Sequence, residues 1–226
     1  MNVVAVIPAY NEETRIADAV RDARRFVSTV VVVDDCSRDN TGNVARASGA
    51  IVLRHVINRG QGAALQTGGE YALTRLGAEA IVHFDADGQM RGDEIPMMVE
   101  PIANGEADVV LGSRFLGKQA NFPASRLFFN RLARLFTHVL SGINLTDTHN
   151  GFRALSRHAA EQMTITLDGM AHASQILDLI KVKRLRYVER PVTITYTADT
   201  LAKSPSSLRM FRIVKDIFKD KFFTRV

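Results

Sequence analysis

Hydrophobic positions in this chain come first as short unbroken runs and later as helical stripes. VVAVIP (3–8), VVVV (30–33) and AIVHF (80–84) are apolar, or nearly so, at every position. Such runs are typical of parallel strands covered on both faces. IVL (51–53) and VVL (109–111) are shorter runs of the same kind. Pro8 is expected to end the first strand. Asn11 then reads as a helix N-cap, with Glu12 and Glu13 where carboxylates suit the helix dipole. Ile16, Ala19, Val20 and Ala23 form one face of that helix. Further helices are predicted from about 63 to 76 and from 95 to 102. The alternation of strand and helix predicts an α/β domain with a mostly parallel central sheet flanked by helices.

The pattern changes after residue 113. Residues 114–146 contain no acidic side chain, yet hold Arg114, Lys118, Arg126, Arg131 and Arg134. Arg131, Arg134 and His138 share one face of a predicted helix, either a solvated basic face or an electropositive pocket for a phosphate. DTHNGFR (147–153) reads as a polar turn, 172–182 as a helix and 187–196 as a strand rich in β-branched residues. In 207–223, Leu208, Phe211, Val214, Ile217, Phe218 and Phe222 oppose Arg209, Arg212, Lys215, Lys219 and Lys221. That amphipathic helix either docks on its own domain or lies on an anionic membrane surface. The expected organisation is one domain over 1–200, divided near 113 into two halves, followed by a basic segment over 201–226.

Composition narrows the partners. With 226 residues, 46% of them hydrophobic, the chain can bury a full core. Cys36, the one cysteine, excludes an intrachain disulfide framework and fits a reducing compartment. The first residues lack a basic segment and a cleavage site, and no apolar run approaches the roughly 18 residues of a membrane span. A cytoplasmic protein is therefore expected, peripheral on the inner membrane face if the C-terminal helix binds lipid. The net charge of +5 points to anionic partners. Nucleic acid is disfavoured, because the basic residues lack interleaved aromatics or a recognition-helix motif.

Chemistry concentrates where strands end. The run 80–84 stops at DADGQ (85–89), in which Asp85, Asp87 and Gln89 share one side if strand geometry persists. A lone D-x-D is commonly a solvated turn; its sharper reading is a site for Mg²⁺ or Mn²⁺ carrying phosphates. Ligands of parallel α/β sheets bind beyond the carboxyl ends of the strands. Tyr10, Glu12, Asp34, Asp35, Asp85 and Asp87 all follow such ends. NRGQG (58–62) is neither a P-loop nor G-x-G-x-x-G, but its backbone N–H groups and Arg59 could cradle a diphosphate at a helix start. His55, His83 and His149 lack zinc-ligand spacing and read as structural. No G-x-S-x-G elbow or Cys–His pairing is evident.

Six segments occur in a telling order: VIPAYNE (6–12), VDDCS (33–37), NRGQG (58–62), DADGQ (85–89), GSR (112–114) and Asp147 with GFR (151–153). Together they resemble the family 2 inverting glycosyltransferases of GT-A fold, in the branch of the dolichyl- and polyprenyl-phosphate sugar synthases. The likeness spans about 3–197. It implies a nucleoside-diphosphate sugar donor, GDP- or UDP-linked, and a Mn²⁺ or Mg²⁺ cofactor. Pro8, Ala9, Tyr10, Glu12 and Asp35 would hold base and ribose, and Arg59 the diphosphate. Asp85 would lie near ribose and metal, Asp87 would bind the metal and Gln89 would complete its shell. Arg114, Arg126 and Arg153 would meet an acceptor phosphate; Lys203 and Ser204 resemble a segment that closes over the phosphates. Asp87, Arg114 and Arg153 are thus the expected catalytic residues.

The acceptor is expected to be polyprenyl phosphate, with a glycan hydroxyl as the alternative. A hydroxyl needs a general base, whereas a phosphate is already anionic. Where many relatives carry an acidic helix, this chain has MAHASQILD (170–178), leaving Asp178 as a reserve base. A third possibility is a non-catalytic nucleotide-sugar-binding subunit working with a membrane partner. The chain also departs from the family at Cys36, where glycine is common, so that turn is not expected to need a positive φ. Lacking tryptophan, it cannot carry the Q-x-x-R-W signature of processive synthases.

Overall fold

Strands apolar on consecutive residues must be covered twice, and the computed structural model is built that way. It describes residues 1–116, 143, 145–148, 150–169 and 171–193. Expectations for Lys118, Arg126, Arg131, Arg134, His138, His149, residues 194–196, Lys203, Ser204 and the 207–223 helix lie outside them.

Strands β1 (Val3–Ala9), β2 (Thr29–Asp34), β3 (Ile51–Arg54), β4 (Ala80–His83), β5 (Val109–Ser113), β6 (Arg153–Ser156) and β7 (Tyr187–Pro191) form a 7-stranded sheet, ordered β3-β2-β1-β4-β6-β5-β7. All neighbours pair parallel except β6, which is antiparallel to β4 and β5. On β1 the side chains alternate between two cores: Val3, Ala5, Ile7 and Ala9 join one, Val4 and Val6 the other. Helices α1 (Ile16–Ala23), α2 (Thr41–Ala47) and α4 (Ile95–Ala103) contribute to the first core. Helices α3 (Gln61–Arg75), α5 (Arg157–Gln162) and α6 (His172–Val182) contribute to the second. The α/β expectation of a mostly parallel sheet flanked by helices holds.

Strand order reverses between β1 and β4: β2 and β3 extend to one side, β4 to the other. Such a switch point opens a crevice beyond the carboxyl ends of the strands. Here it lies between Tyr10 and Asp85. Because β6 runs antiparallel, it begins at the same end, and its first residue, Arg153, pairs across from His83 on β4 and Leu111 on β5.

Several local expectations change. β1 continues through Pro8 to Ala9, and Pro8 stays in register with Val33. α1 starts only at Ile16, with Arg15 at its cap. Asn11, expected there, instead takes a left-handed φ of 55° and ties the rim loops together. Its N–H donates to Ser37 Oγ (3.0 Å), and its Oδ1 accepts from Arg38 N (2.9 Å). Asn tolerates this conformation because its short polar side chain bonds locally. Cys36 also has a positive φ, 64°, so the turn does need one despite lacking glycine. The segment read as a turn ending at Arg153 leads directly into β6. That strand and α5 were not anticipated: RALS (153–156) has no unbroken apolar run, and the six residues of α5 are too short to show a helical period.

Candidate active site

On the donor side, the end of β1 presents Tyr10, 43% exposed, beside buried Ala9. Glu12 N donates to Thr41 Oγ1 (2.8 Å), while its carboxylate pairs with Arg15 (2.6 Å). Asp34, expected just past a strand, is the last residue of β2; it is wholly buried and caps the next turn by accepting from Ser37 N (2.8 Å). Asp35 is engaged by the protein itself. It accepts from Arg59 N (2.9 Å) and Gly60 N (2.6 Å) and meets His55 Nδ1 (2.7 Å), whose Nε2 reaches Thr67 Oγ1 (3.0 Å).

The NRGQG turn therefore works differently from expectation. Two of its N–H groups serve Asp35, and Gly62 N donates to the Asp168 carbonyl (2.7 Å). A backbone cradle for diphosphate at those three groups is excluded in this conformation. Gly60 takes φ +96°, and a Cβ there would lie 2.5 Å from Asp168 O, so the turn fits only as glycine. The Arg59 guanidinium remains at the surface, half-exposed and 3.4 Å from Asp168 Oδ1.

Asp85 and Asp87 follow β4. Burial pushes the Asp85 carboxyl up to about 6, and the Asp87 charge adds to this. Arg153 and a hydrogen bond from Gln61 Nε2 (3.0 Å) pull the other way. A Cβ on Gly151 would lie 2.7 Å from Asp85 Oδ2, so glycine there makes room for the carboxylate. Gln89 N donates to Asp87 Oδ1 (3.0 Å), folding the loop back on itself. Two hard oxygen ligands whose charges oppose each other, with an amide oxygen two residues on, form a donor set that suits Mg²⁺ or Mn²⁺. Among the described residues no third His, Cys, Asp or Glu joins them. A cation here would take its other ligands from donor phosphates and water.

The expected acceptor residues are held in two distinct ways. Arg114 makes a bidentate pair with Asp147: Nε to Oδ2 at 2.6 Å and Nη2 to Oδ1 at 2.8 Å, with its backbone N also on Oδ2 (3.1 Å). Arg153 is only 2% exposed and feels the carboxylates of both Asp85 and Asp147. It links the two sides from beneath, and burial brings its pKa down to about 10, still charged at neutral pH. Among the described residues its Nη1 finds no hydrogen-bond partner. His83 faces it across the ladder, driven down to about 3 by burial, with Arg153 and His172 adding to the effect. Burial likewise lowers His172, whose Nδ1 lies 2.8 Å from Gly169 O.

Reasoning from sequence missed Gln61, His83, Asp147 and His172 as parts of this cluster. All four stand in stretches already quoted, NRGQG, AIVHF, Asp147 with GFR, and MAHASQILD, but none was given this role. The histidines carry no spacing signal because two elements distant in sequence, β4 and α6, bring them together. Asp178, the reserve base, is half-buried along α6. A cavity of about 30 Å³ beneath His83, bordered by Leu65, Ile81 and Ile176, lies on the α3 face rather than at the rim.

Comparison with known proteins agrees with this architecture. The model for glycosyl transferase family 2 matches residues 4–164. A UDP-N-acetylglucosamine–dolichyl-phosphate N-acetylglucosaminyltransferase of Methanococcus voltae is 30% identical over 233 residues, covering 93% of this chain and 92% of the relative. An undecaprenyl-phosphate mannosyltransferase of Micrococcus luteus is 32% identical over 210 residues, covering 85% and 83%. Among solved structures, the glucosyl-3-phosphoglycerate synthase of Mycobacterium tuberculosis with Mn²⁺ and UDP-glucose aligns at a TM-score of 0.71 and 20% identity. That match covers 96% of this chain and 76% of the other, and is a likeness of fold. The chain belongs to glycosyl transferase family 2, as a glycosyltransferase of GT-A fold in the branch resembling the dolichyl- and polyprenyl-phosphate sugar synthases.

Proposed function

We propose that this glycosyltransferase moves a hexose, with inversion, from a GDP- or UDP-sugar to a polyprenyl phosphate, using Mn²⁺ or Mg²⁺. The observation that carries the reading is the meeting at one rim of the Asp85–Asp87 carboxylate pair with the two cations Arg114 and Arg153. The names of the Methanococcus and Micrococcus relatives support a lipid-phosphate acceptor. The cation in the structurally similar mycobacterial enzyme supports testing Mn²⁺ first.

In this reading Asp87, Asp85 and Gln89 would hold the cation, whose chemistry when bound would be to neutralise charge on the departing nucleoside diphosphate. Asp85 releases its proton to do so. Arg59 adds a second positive group beside the leaving diphosphate, turning away from Asp168. Tyr10 offers its face to the base, with Pro8, Ala9 and Glu12 beside it. Asp35 acts indirectly, by fixing the turn that carries Arg59. Arg114 orients the acceptor phosphate, joined by Arg126, Lys203 and Ser204, while Arg153 supports the cluster from below. The phosphate attacks as an anion, so positioning takes the place of a general base. No helix among the described residues is long and apolar enough to cross a membrane. The amphipathic pattern of 207–223 supports contact of that segment with the lipid, with a membrane partner subunit as the other candidate.

The test is sugar transfer from a panel of UDP- and GDP-sugars, with Mn²⁺, to polyprenyl phosphate or to free glycans. Transfer to the lipid phosphate, abolished by a chelator, is expected. Transfer to glycans alone would overturn the acceptor assignment and turn attention to Asp178.

A further inference from the structure

Arg114 is held by Asp147, but Asp147 sits in a short strap, residues 145–148, ahead of β6, and the strap itself needs an anchor. Glu189 on β7 does so. Its two carboxylate oxygens each accept from Thr146 N (2.9 Å). Oε1 also accepts from Thr146 Oγ1 (2.9 Å) and Asp147 N (3.2 Å). Because the Thr146 hydroxyl spends its proton on Glu189, it is left to accept from Ser113 Oγ, 2.5 Å away. Ser113 Oγ in turn accepts from Phe115 N (3.2 Å), which flanks Arg114. Glu189 is in register with Leu111 on β5, so this anchor belongs to the rigid sheet.

We propose that Glu189 is a positioning residue for the transfer: through Thr146 and Asp147 it sets the plane and reach of the Arg114 guanidinium toward the acceptor. The inference rests on the reading that Arg114 meets the acceptor phosphate. A bidentate arginine–carboxylate pair fixes the guanidinium plane only as well as the carboxylate is fixed. Asp147 is fixed by its N–H on Glu189 and by the strap residue before it. A carboxylate accepting several N–H and O–H bonds is a stronger anchor than a neutral amide. Small displacements of an orienting group cost rate steeply. Glu189 would thus govern how the acceptor is held while touching neither substrate.

The experiment uses the full chain with Mn²⁺, a UDP- or GDP-sugar that it turns over, and polyprenyl phosphate. Glu189→Gln keeps the shape but loses one of the acceptor oxygens. It is expected to raise the KM for polyprenyl phosphate about tenfold, leaving the donor KM and Mn²⁺ affinity unchanged. Thr146→Val, which keeps the backbone bonds, should move the same parameter by a smaller factor. The decisive arm is a double-mutant cycle with Arg114→Ala. If Glu189 acts through Arg114, adding Glu189→Gln to Arg114→Ala has no further effect on the acceptor KM. Independent, multiplying effects, or equal changes in both substrates' KM with a fall in Tm, would overturn the proposal and make Glu189 a plain structural staple. A change from Arg114→Ala but none from Glu189→Gln would overturn it while sparing the functional reading. No change from Arg114→Ala would overturn both.

Discussion

The donor side of the rim, around Asp85 and Asp87, sets like charges against each other, whereas the acceptor side ties Arg114 to the opposite charge of Asp147. On the first side the Asp85 carboxyl is raised to about 6 by burial and by its neighbour's charge. On the second, buried Asp147 is matched by the bidentate Arg114, while Glu189 accepts from the backbone N–H groups behind it. The donor rim is built to gain a cation from outside. The Arg114–Asp147 pair already matches its own charges, and its geometry is what the fold maintains. Substitutions on the two sides should therefore move activity and stability differently.

The largest expected effect is on activity. Asp87→Ala should reduce transfer on the order of a hundred- to a thousandfold. Losing a like charge beside Asp85, the metal-free protein should melt no lower than wild type. A variant with full activity, or one that melts well below wild type, would erase the contrast between the two sides.

On the acceptor side the order reverses. Asp147→Ala leaves the Arg114 guanidinium, 22% exposed, without its carboxylate. The expected cost is about 2–3 kcal/mol in urea unfolding, at or below the low end for a broken buried pair because arginine keeps some solvent. A cost near zero would mean that the pair orients Arg114 without supporting the fold.

A subtler effect appears in the pH dependence of the metal-free protein. Asp85 has a folded-state pKa above its ordinary 3.8, so its contribution favours the fold at low pH and is lost as pH rises from about 4 through 6. His83 is held far below its ordinary 6.5, so it favours the fold at neutral pH and its contribution fades as pH falls below 6.5 toward 3. The two slopes oppose each other between about pH 4 and 6. Asp85→Asn removes one of them, and its stability should fall more steeply than that of wild type on acidification from pH 7 to 4. Parallel profiles in chelator would show that the Asp85 carboxyl is solvated after all.

The donor half was largely legible in the sequence. Each of its strands is a dense apolar run, and each run ends in residues whose chemistry is local to the motif: Tyr10 after β1, Asp35 after β2, Asp85 and Asp87 after β4. Even there, three dimensions changed assignments. Asp35 bonds the Arg59–Gly60 turn that sequence spacing offered to a diphosphate, and Asn11 bridges loops where it looked like a cap. In the acceptor half the helix over 172–182, the strand starting at 187 and the excess of arginine were legible, whereas β6, α5 and the partners of the arginines were not.

What the sequence by itself determined is the layered α/β architecture and the presence of carboxylates at strand ends, because apolar periodicity and strand termination are properties of neighbouring residues. What only the tertiary structure decided is how the charges are partnered. The antiparallel β6 carries Arg153 beneath Asp85, and β7 brings Glu189 to the strap that holds Asp147 and Arg114. Those partners come from separate strands, and a charge's environment depends on what the fold sets beside it rather than on what precedes it in the chain.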